Sequence, residues 1–213
     1  MGTLLIRLQA PMQSWGVSSH FTNRDTGREP SKSGVIGLIC AAMGRPRDAD
    51  ISDLACLKMG VRVDREGVLQ KDFHIAQDIL SASGQDRKES EISNRYYLAD
   101  AAFLVGLEGS PELLREIYDA LKSPHWALYL GRKAFPPARS VWLKDGLREV
   151  PLQEALQQFP SLLPNPAEKV RLVLESDDGE FVRTDVPISF DTRRFSSRRI
   201  HLMQIVCPPF QEV

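Results

Sequence analysis

Residues 27–39, GREPSKSGVIGLI, set a glycine, a lysine and two serines directly against an apolar run. That order raises the question of phosphate chemistry. A nucleotide-cradling P-loop needs G-x-x-x-x-G-K-[ST], so that successive backbone N–H groups wrap the phosphates and the lysine reaches them. Here Ser31 stands where the second glycine belongs, and Pro30 has no N–H to offer. The spacing therefore argues against an ATPase or GTPase. A looser phosphate grip stays open. Ser31 or Ser33 can cap a helix through its hydroxyl oxygen. Ile36, Ile39, Cys40 and Met43 fall at i, i+3, i+4, i+7, one apolar face, and Gly44 suits the left-handed stop. Arg28 and Lys32 flank the helix start, where free amides and the dipole favour an anion. A capped surface helix with solvated charges is the plainer reading of the same residues.

Other groups that could do chemistry are sparse. Cys40, Cys56 and Cys207 are odd in number and far apart, with no C-x-x-C, which suggests neither a zinc site nor a disulfide framework. Cys40 reads as a small core residue. Asp48, Asp50 and Asp53 cluster at a helix start, where acids suit the dipole without a metal. No metal and no cofactor are expected. The 213 residues, 42% hydrophobic, are enough for one large domain or two small ones with a proper core. A formal net charge of −1 excludes an all-over basic coat but not local patches. Such patches exist. Arg7, Arg24, Arg28, Lys32, Arg45 and Arg47 face only Asp25 and Glu29 within residues 1–47. Arg132, Lys133, Arg139, Lys144 and Arg148 face Asp145 within 128–148, and Arg193, Arg194, Arg198 and Arg199 crowd together. Folded onto one face, they could follow a phosphate backbone; apart, they are solvated surface. No signal peptide or membrane-length apolar run is visible, and a reducing cytoplasm is the expected compartment.

The elements that must position these groups follow from periodicity. TLLIRLQ, residues 3–9, reads as a strand, and APMQSWGVSSHF as a loop. A helix spans about 33–43, a short helix begins at Ser52, Met59 to Val63 is a strand, and DREG at 64–67 is a turn. Residues 68–98 form an extended hairpin or long excursion. AAFLVGL at 101–107 is a buried strand, and Ser110–Pro111 opens a helix in the favoured cap-then-proline order. A further strand follows, with His125 and Trp126 just ahead of it. PLQEALQQFP holds a short helix. VRLVLESDDGEFVRTDVPISF reads as two strands hinged at an Asp178–Gly179 turn, and RRIHLMQIV, with His201, adds another strand. The order is βαββαβ with an insertion, an α+β, ferredoxin-like arrangement. The aromatic strand motif of an RRM is absent, so any RNA grip must use loops, helix ends and backbone.

Three stretches taken in order, RLQAPMQSWG at 7–16, TGREPSKSGVIGLICAAMG at 26–44 and YLGRKAFPP at 129–137, resemble the CasD family. That family is the type I-E CRISPR Cascade subunit at the 5′ end of the guide RNA. DFHIAQ and RYYLADAAFLVGL are similar to its thumb and the strand after it. The likeness covers most of residues 4–140 and weakens beyond about 150. It implies an RRM-like palm over 1–148 with a β-hairpin thumb inserted at about 68–98. The strand pattern beyond it reads as a β-rich C-terminal region over 149–213, an extra sheet packed on the palm or a partner-docking surface. The resemblance also implies a non-catalytic, cytoplasmic ribonucleoprotein subunit that binds the 5′ handle of CRISPR RNA, caps the Cascade backbone subunits and touches the large target-recognition subunit. No membrane role is implied. Arg24, Arg28 and Lys32 would meet handle phosphates, helped by Ser31 and Ser33. Gln13, Ser14 and Trp15 lie in the loop after the first strand, where Trp15 either stacks on an unpaired base or packs in the core. Arg132 and Lys133 follow a glycine that allows close approach, and otherwise are a solvated turn. Asn94 and Arg95 sit near the thumb base.

The type I-C relative of that family cleaves its own precursor RNA through Tyr, Lys and His, so a metal-independent endoribonuclease is the alternative. Among His20, His74, His125 and His201, none sits in a Lys–His pair, and only His74 with Tyr96 or Tyr97 lies near the thumb. General acid–base cleavage would require those groups to converge.

Overall fold

The computed structural model describes residues 2–17, 22–81, 83–84 and 86–211; His20 lies outside them. The first strand, β1 (Gly2–Gln9), is buried along almost its whole length. A strand buried on both faces cannot alternate polar with apolar residues, which explains its unbroken TLLI run. After two short strands, β2 (Met12–Gln13) and β3 (Asn23–Arg24), come α1 (Lys32–Met43) and α2 (Ser52–Ala55). Ser31 caps α1 by accepting from Gly34 N, and Gly44 closes it at φ 72°, with its N–H on Cys40 O. Burial pushes the Cys40 thiol up to about 11, as befits a core residue, and all three cysteines are free.

The long hairpin expected at 68–98 is present as β5 (Val68–Leu80) and β6 (Arg87–Ala99), following β4 (Lys58–Arg65). Then come β7 (Ala102–Gly109), α3 (Pro111–Lys122), β8 (Trp142–Arg148) and α4 (Leu152–Gln158). The chain finishes with β9 (Lys169–Glu175), β10 (Phe181–Ser189) and β11 (Arg194–Val206). A seven-stranded sheet runs β10-β11-β9-β4-β7-β1-β8, every pairing antiparallel. A smaller sheet joins β2 and β3 to β6, which also pairs with β5. The fold is thus a mixed α+β one with mostly antiparallel sheets. Among the described residues, no helix is long and apolar enough to cross a membrane.

Three details differ from the sequence reading. The residues after His125 form a loop, not a strand, because His125 N and Trp126 N donate to Ala42 O and Ala41 O and cover the C-terminal end of α1. β9 and β10 are not a hairpin about Asp178–Gly179. Both run antiparallel to β11, which pairs with β10 through its first half and β9 through its second. The hairpin is β10–β11. The C-terminal strands also form no sheet of their own: β9 hydrogen-bonds to β4, so they extend the sheet of the first 148 residues.

Each face of the large sheet has its own cover. Leu4, Ile6, Leu8, Phe103 and Val105 pack with α1 and α3, while Leu5, Leu104, Leu172 and Leu174 pack with Leu152 and Leu156 of α4. Close approach of α4 depends on glycine. Gly60 and Gly106 are opposite one another in β4 and β7, and a Cβ on either would lie 2.6 Å from a leucine methyl of α4. The fully buried Arg62 then closes the end of α4, donating to Leu156 O, Phe159 O and Pro160 O while pairing with Asp64. Those are carbonyls that a helix C-terminus leaves unpaired. Gly106→Val should therefore cost about 1–3 kcal/mol through overpacking. Urea unfolding checks this: a midpoint unchanged from the parent would remove the close-approach explanation.

Candidate nucleic-acid interface

The start of α1 is occupied by the protein itself. Lys32 is 1% exposed, and its Nζ donates to Glu175 Oε1 at 2.9 Å and Oε2 at 3.1 Å. Its backbone N–H donates to Asp185 Oδ2 at 2.8 Å. Asp185 is held by two hydrogen bonds from Arg198, at 2.7 and 2.9 Å, and Arg198 also reaches Glu175. The anion that open amides attract is thus a carboxylate from β10. Burial lowers the Lys32 pKa, with Glu175 pulling the other way. Lys32 therefore points its charge inward, contrary to the sequence expectation. Ser31 is spent on its cap, and Ser33 is half-buried with its hydroxyl donating to Ser31. Arg28 is exposed, in a cleft with Arg171, Arg183 and Glu29, whose carboxylate takes ion pairs from those two arginines.

The loop after β1 is also inward. Gln13 is fully buried, donating to Leu8 O and Ala101 O and accepting from Trp15 Nε1. Trp15 is 2% exposed and lies against Gly34, where a Cβ would stand 2.9 Å from its ring. Of the two readings of Trp15, the structure selects core packing: the ring is buried against Gly34 of α1. Ser14 is buried, with its hydroxyl donating to Asp25 O and Tyr96 O.

Arg24, Arg95 and Arg132 do come together. β3 runs parallel to β6 with Asn23 opposite Asn94 and Arg24 opposite Arg95. Gly131 has φ 89°, and a Cβ there would fall 1.7 Å from Ser14 O, so only glycine permits this docking. Ser14 N donates to Leu130 O, fixing the loop. Arg132 then extends across, donating to Tyr96 O at 2.8 Å and Arg24 O at 3.2 Å, with its guanidinium 5.5 Å from the Phe135 ring centre. The result is a polar cleft of about 370 Å³ lined by Ser14, Gly16, Arg24, Asp25, Arg95, Gly131 and Arg132. Burial pushes the Arg132 pKa down, and Arg95 and Arg24 push it further, against Asp72 and Asp25. No salt bridge engages Arg24, Arg95 or Arg132 among the described residues. Asn94 is half-buried on β6, and Lys133 is exposed beside the cleft. Three mutually repelling guanidiniums in one cleft favour a polyanion.

Of the three basic clusters, two contribute to this cleft. The third does not, since Arg198 is consumed in the buried network and Arg199 donates to Gly179 O. Arg28, Lys32 and Arg132 do not share one helix tip, although alternate residues of the 14–17 segment line the Arg28 cleft and the Arg132 cleft. Sequence reasoning missed Arg171 and Arg183, which sit in strands with no motif to mark them. The histidine constellation is not assembled. His74 is opposite Ser93, so Tyr96 projects from the other face of the hairpin, and Tyr97 is four positions, about 13 Å, along the strand. Asp50 and Asp53 are used locally, on Ser52 and Arg45. His201 contacts Asp178.

A family model for CRISPR-associated protein (Cas_Cas5) matches residues 3–206, and the chain belongs to that family. It is homologous to the CRISPR system Cascade subunit CasD of Escherichia coli (strain K12), with 30% identity over 225 residues, covering 94% of this chain and 95% of the relative. Among solved structures, a crystal structure of a Cas protein is 46% identical with a TM-score of 0.82, covering 97% of this chain and 98% of the other. A chain of a CRISPR RNA-guided surveillance complex is 37% identical, also with a TM-score of 0.82, covering 98% and 91%.

The buried network predicts different costs for two neighbouring charges. Glu175→Ala, which strands Lys32 and leaves Arg198 only Asp185, should lower stability by about 3 kcal/mol. Arg28→Ala should stay within about 0.5 kcal/mol. Equal, small effects in denaturant titration would show that the network holds nothing together.

Proposed function

We propose that this protein is a non-catalytic, cytoplasmic CRISPR RNA-binding subunit of a type I-E Cascade surveillance complex. It holds the 5′ handle of the guide and caps the backbone subunits. The observation that carries this reading is the cleft of Arg24, Arg95 and Arg132, which is short of counter-charge and built at the base of a projecting hairpin. Its relatives supply the context: one is a Cascade subunit and another is a chain of an RNA-guided complex. Lys133 and Asn94 flank the cleft and would add a phosphate contact and a hydrogen bond, and Arg28 would extend the path on the far side of the 14–17 segment.

The palm is read as ferredoxin-like, or RRM-like. Supporting this, β1, β4, β7 and β8 lie in the order β8-β1-β7-β4, with α1 and α3 packed on one face. Residues 1–148 form this palm with its thumb, and 149–213 form the β-rich region that widens it. Phe73, Ile75 and Ile92 are exposed on the thumb, a two-stranded ribbon that is marginal alone. That suits docking against a backbone subunit. The large target-recognition subunit is the other expected protein partner.

The test is binding of a handle RNA by the subunit in its complex, at several salt concentrations. Arg24→Ala with Arg95→Ala should weaken binding and reduce the salt-dependence slope by about 1.4, at about 0.7 per single-strand phosphate lost. An unchanged slope, with the handle still protected from nuclease, would refute the assignment.

A further inference from the structure

A second cleft, of about 350 Å³, lies against the side of α1 and shares Gly131 with the arginine cleft. Its floor is Gly37 and Ala41, and around it stand Trp126, Tyr129, Phe190 and Arg47. Trp126 and Tyr129 are 46% and 38% exposed. An exposed ring on a loop is common, but this loop is held at both ends. His125 N and Trp126 N donate to Ala42 O and Ala41 O, and Leu130 N donates to Phe135 O. The backbone that carries the two rings is therefore held before any ligand arrives. Arg47 donates Nε to Phe190 O and is otherwise exposed, and no carboxylate lines the cleft among the described residues.

We infer that this cleft takes an unstacked nucleobase of single-stranded RNA, with Trp126 and Tyr129 as the stacking rings; this rests on the RNA-binding reading above. Gly37 leaves that wall of α1 bare, since a Cβ there would already touch Phe190 at 3.6 Å, and the cleft's 350 Å³ is the space a planar group would enter. Aromatic faces accept any base and reward one already splayed out of a stack. The cations supply the complementary charge, with Arg132 beyond Gly131 at one side and Arg47 beside Phe190. A strand held by the arginine cleft would thus continue past Gly131 and lay its next base on the rings.

The experiment uses guides carrying a single 2-aminopurine at each position of the 5′ segment in turn, assembled with the backbone subunits and this chain. With the parent protein, one or two positions should be strongly quenched by stacking. Trp126→Ala and Tyr129→Ala should restore that fluorescence and weaken handle binding about tenfold, the order expected for one stacked base. Trp126→Phe should keep the quenching, and Ala41→Glu, which puts a carboxylate on the floor, should abolish it. An identical quenching pattern in parent and alanine variants, with the guide still bound, overturns this site and leaves the RNA-binding reading standing. So does a variant that binds the handle normally but no longer joins the other subunits, because the cleft would then belong to a protein partner. If the parent does not bind the guide, both readings fail together.

Discussion

Four charges at the start of α1, three of them buried, tie the fold together. Lys32, Glu175, Asp185 and Arg198 come from α1, β9, β10 and β11, and their ion pairs and hydrogen bonds link all four elements. Taking such groups out of water is costly, so the network contributes less net stability than its hydrogen bonds suggest. Its consequence is geometric. The C-terminal strands become the cap of a helix more than a hundred residues earlier, and the helix N-terminus ceases to be an open anion site.

That closure explains where the candidate interface lies. With the dipole end of α1 satisfied by Asp185, the positive potential left at the surface comes from arginines positioned by the small sheet and the 130–132 loop. Arg132 contributes as much by its hydrogen bonds as by its charge, because they hold its guanidinium beside Arg24 and Arg95 despite their repulsion. Gly131 makes the approach possible, and the buried Gln13–Ser14–Trp15 segment supplies the surface it docks on. Residues that looked like ligand contacts are thus the foundation on which the arginine cleft is built.

The opposite face of the sheet shows a similar economy. α4 sits close to β4 and β7 through paired glycines, and Arg62 satisfies the helix end from inside the core. The central strands of the sheet are therefore covered on both faces, while the thumb hairpin projects with apolar side chains uncovered.

By itself the sequence determined the local elements: β1, the start of α1 at Ser31 or Ser33 and its stop at Gly44, the Ser110–Pro111 start of α3 and the strands flanking the long excursion. Each follows from periodicity or capping within a dozen residues, and the ordered motifs at 7–16, 26–44 and 129–137 were enough to point to the family. Tertiary structure alone decided which charges face water. Nothing near Lys32 in the chain signals that Glu175 will neutralise it, and nothing near Trp15 signals that Gly34 will receive its ring. For the same reason the partner of β10 could not be read from its neighbour β9, since strand pairing is settled by long-range register, not by the nearest turn. Burial is a property of the whole fold, and a charge or an aromatic ring takes its role from what is packed around it.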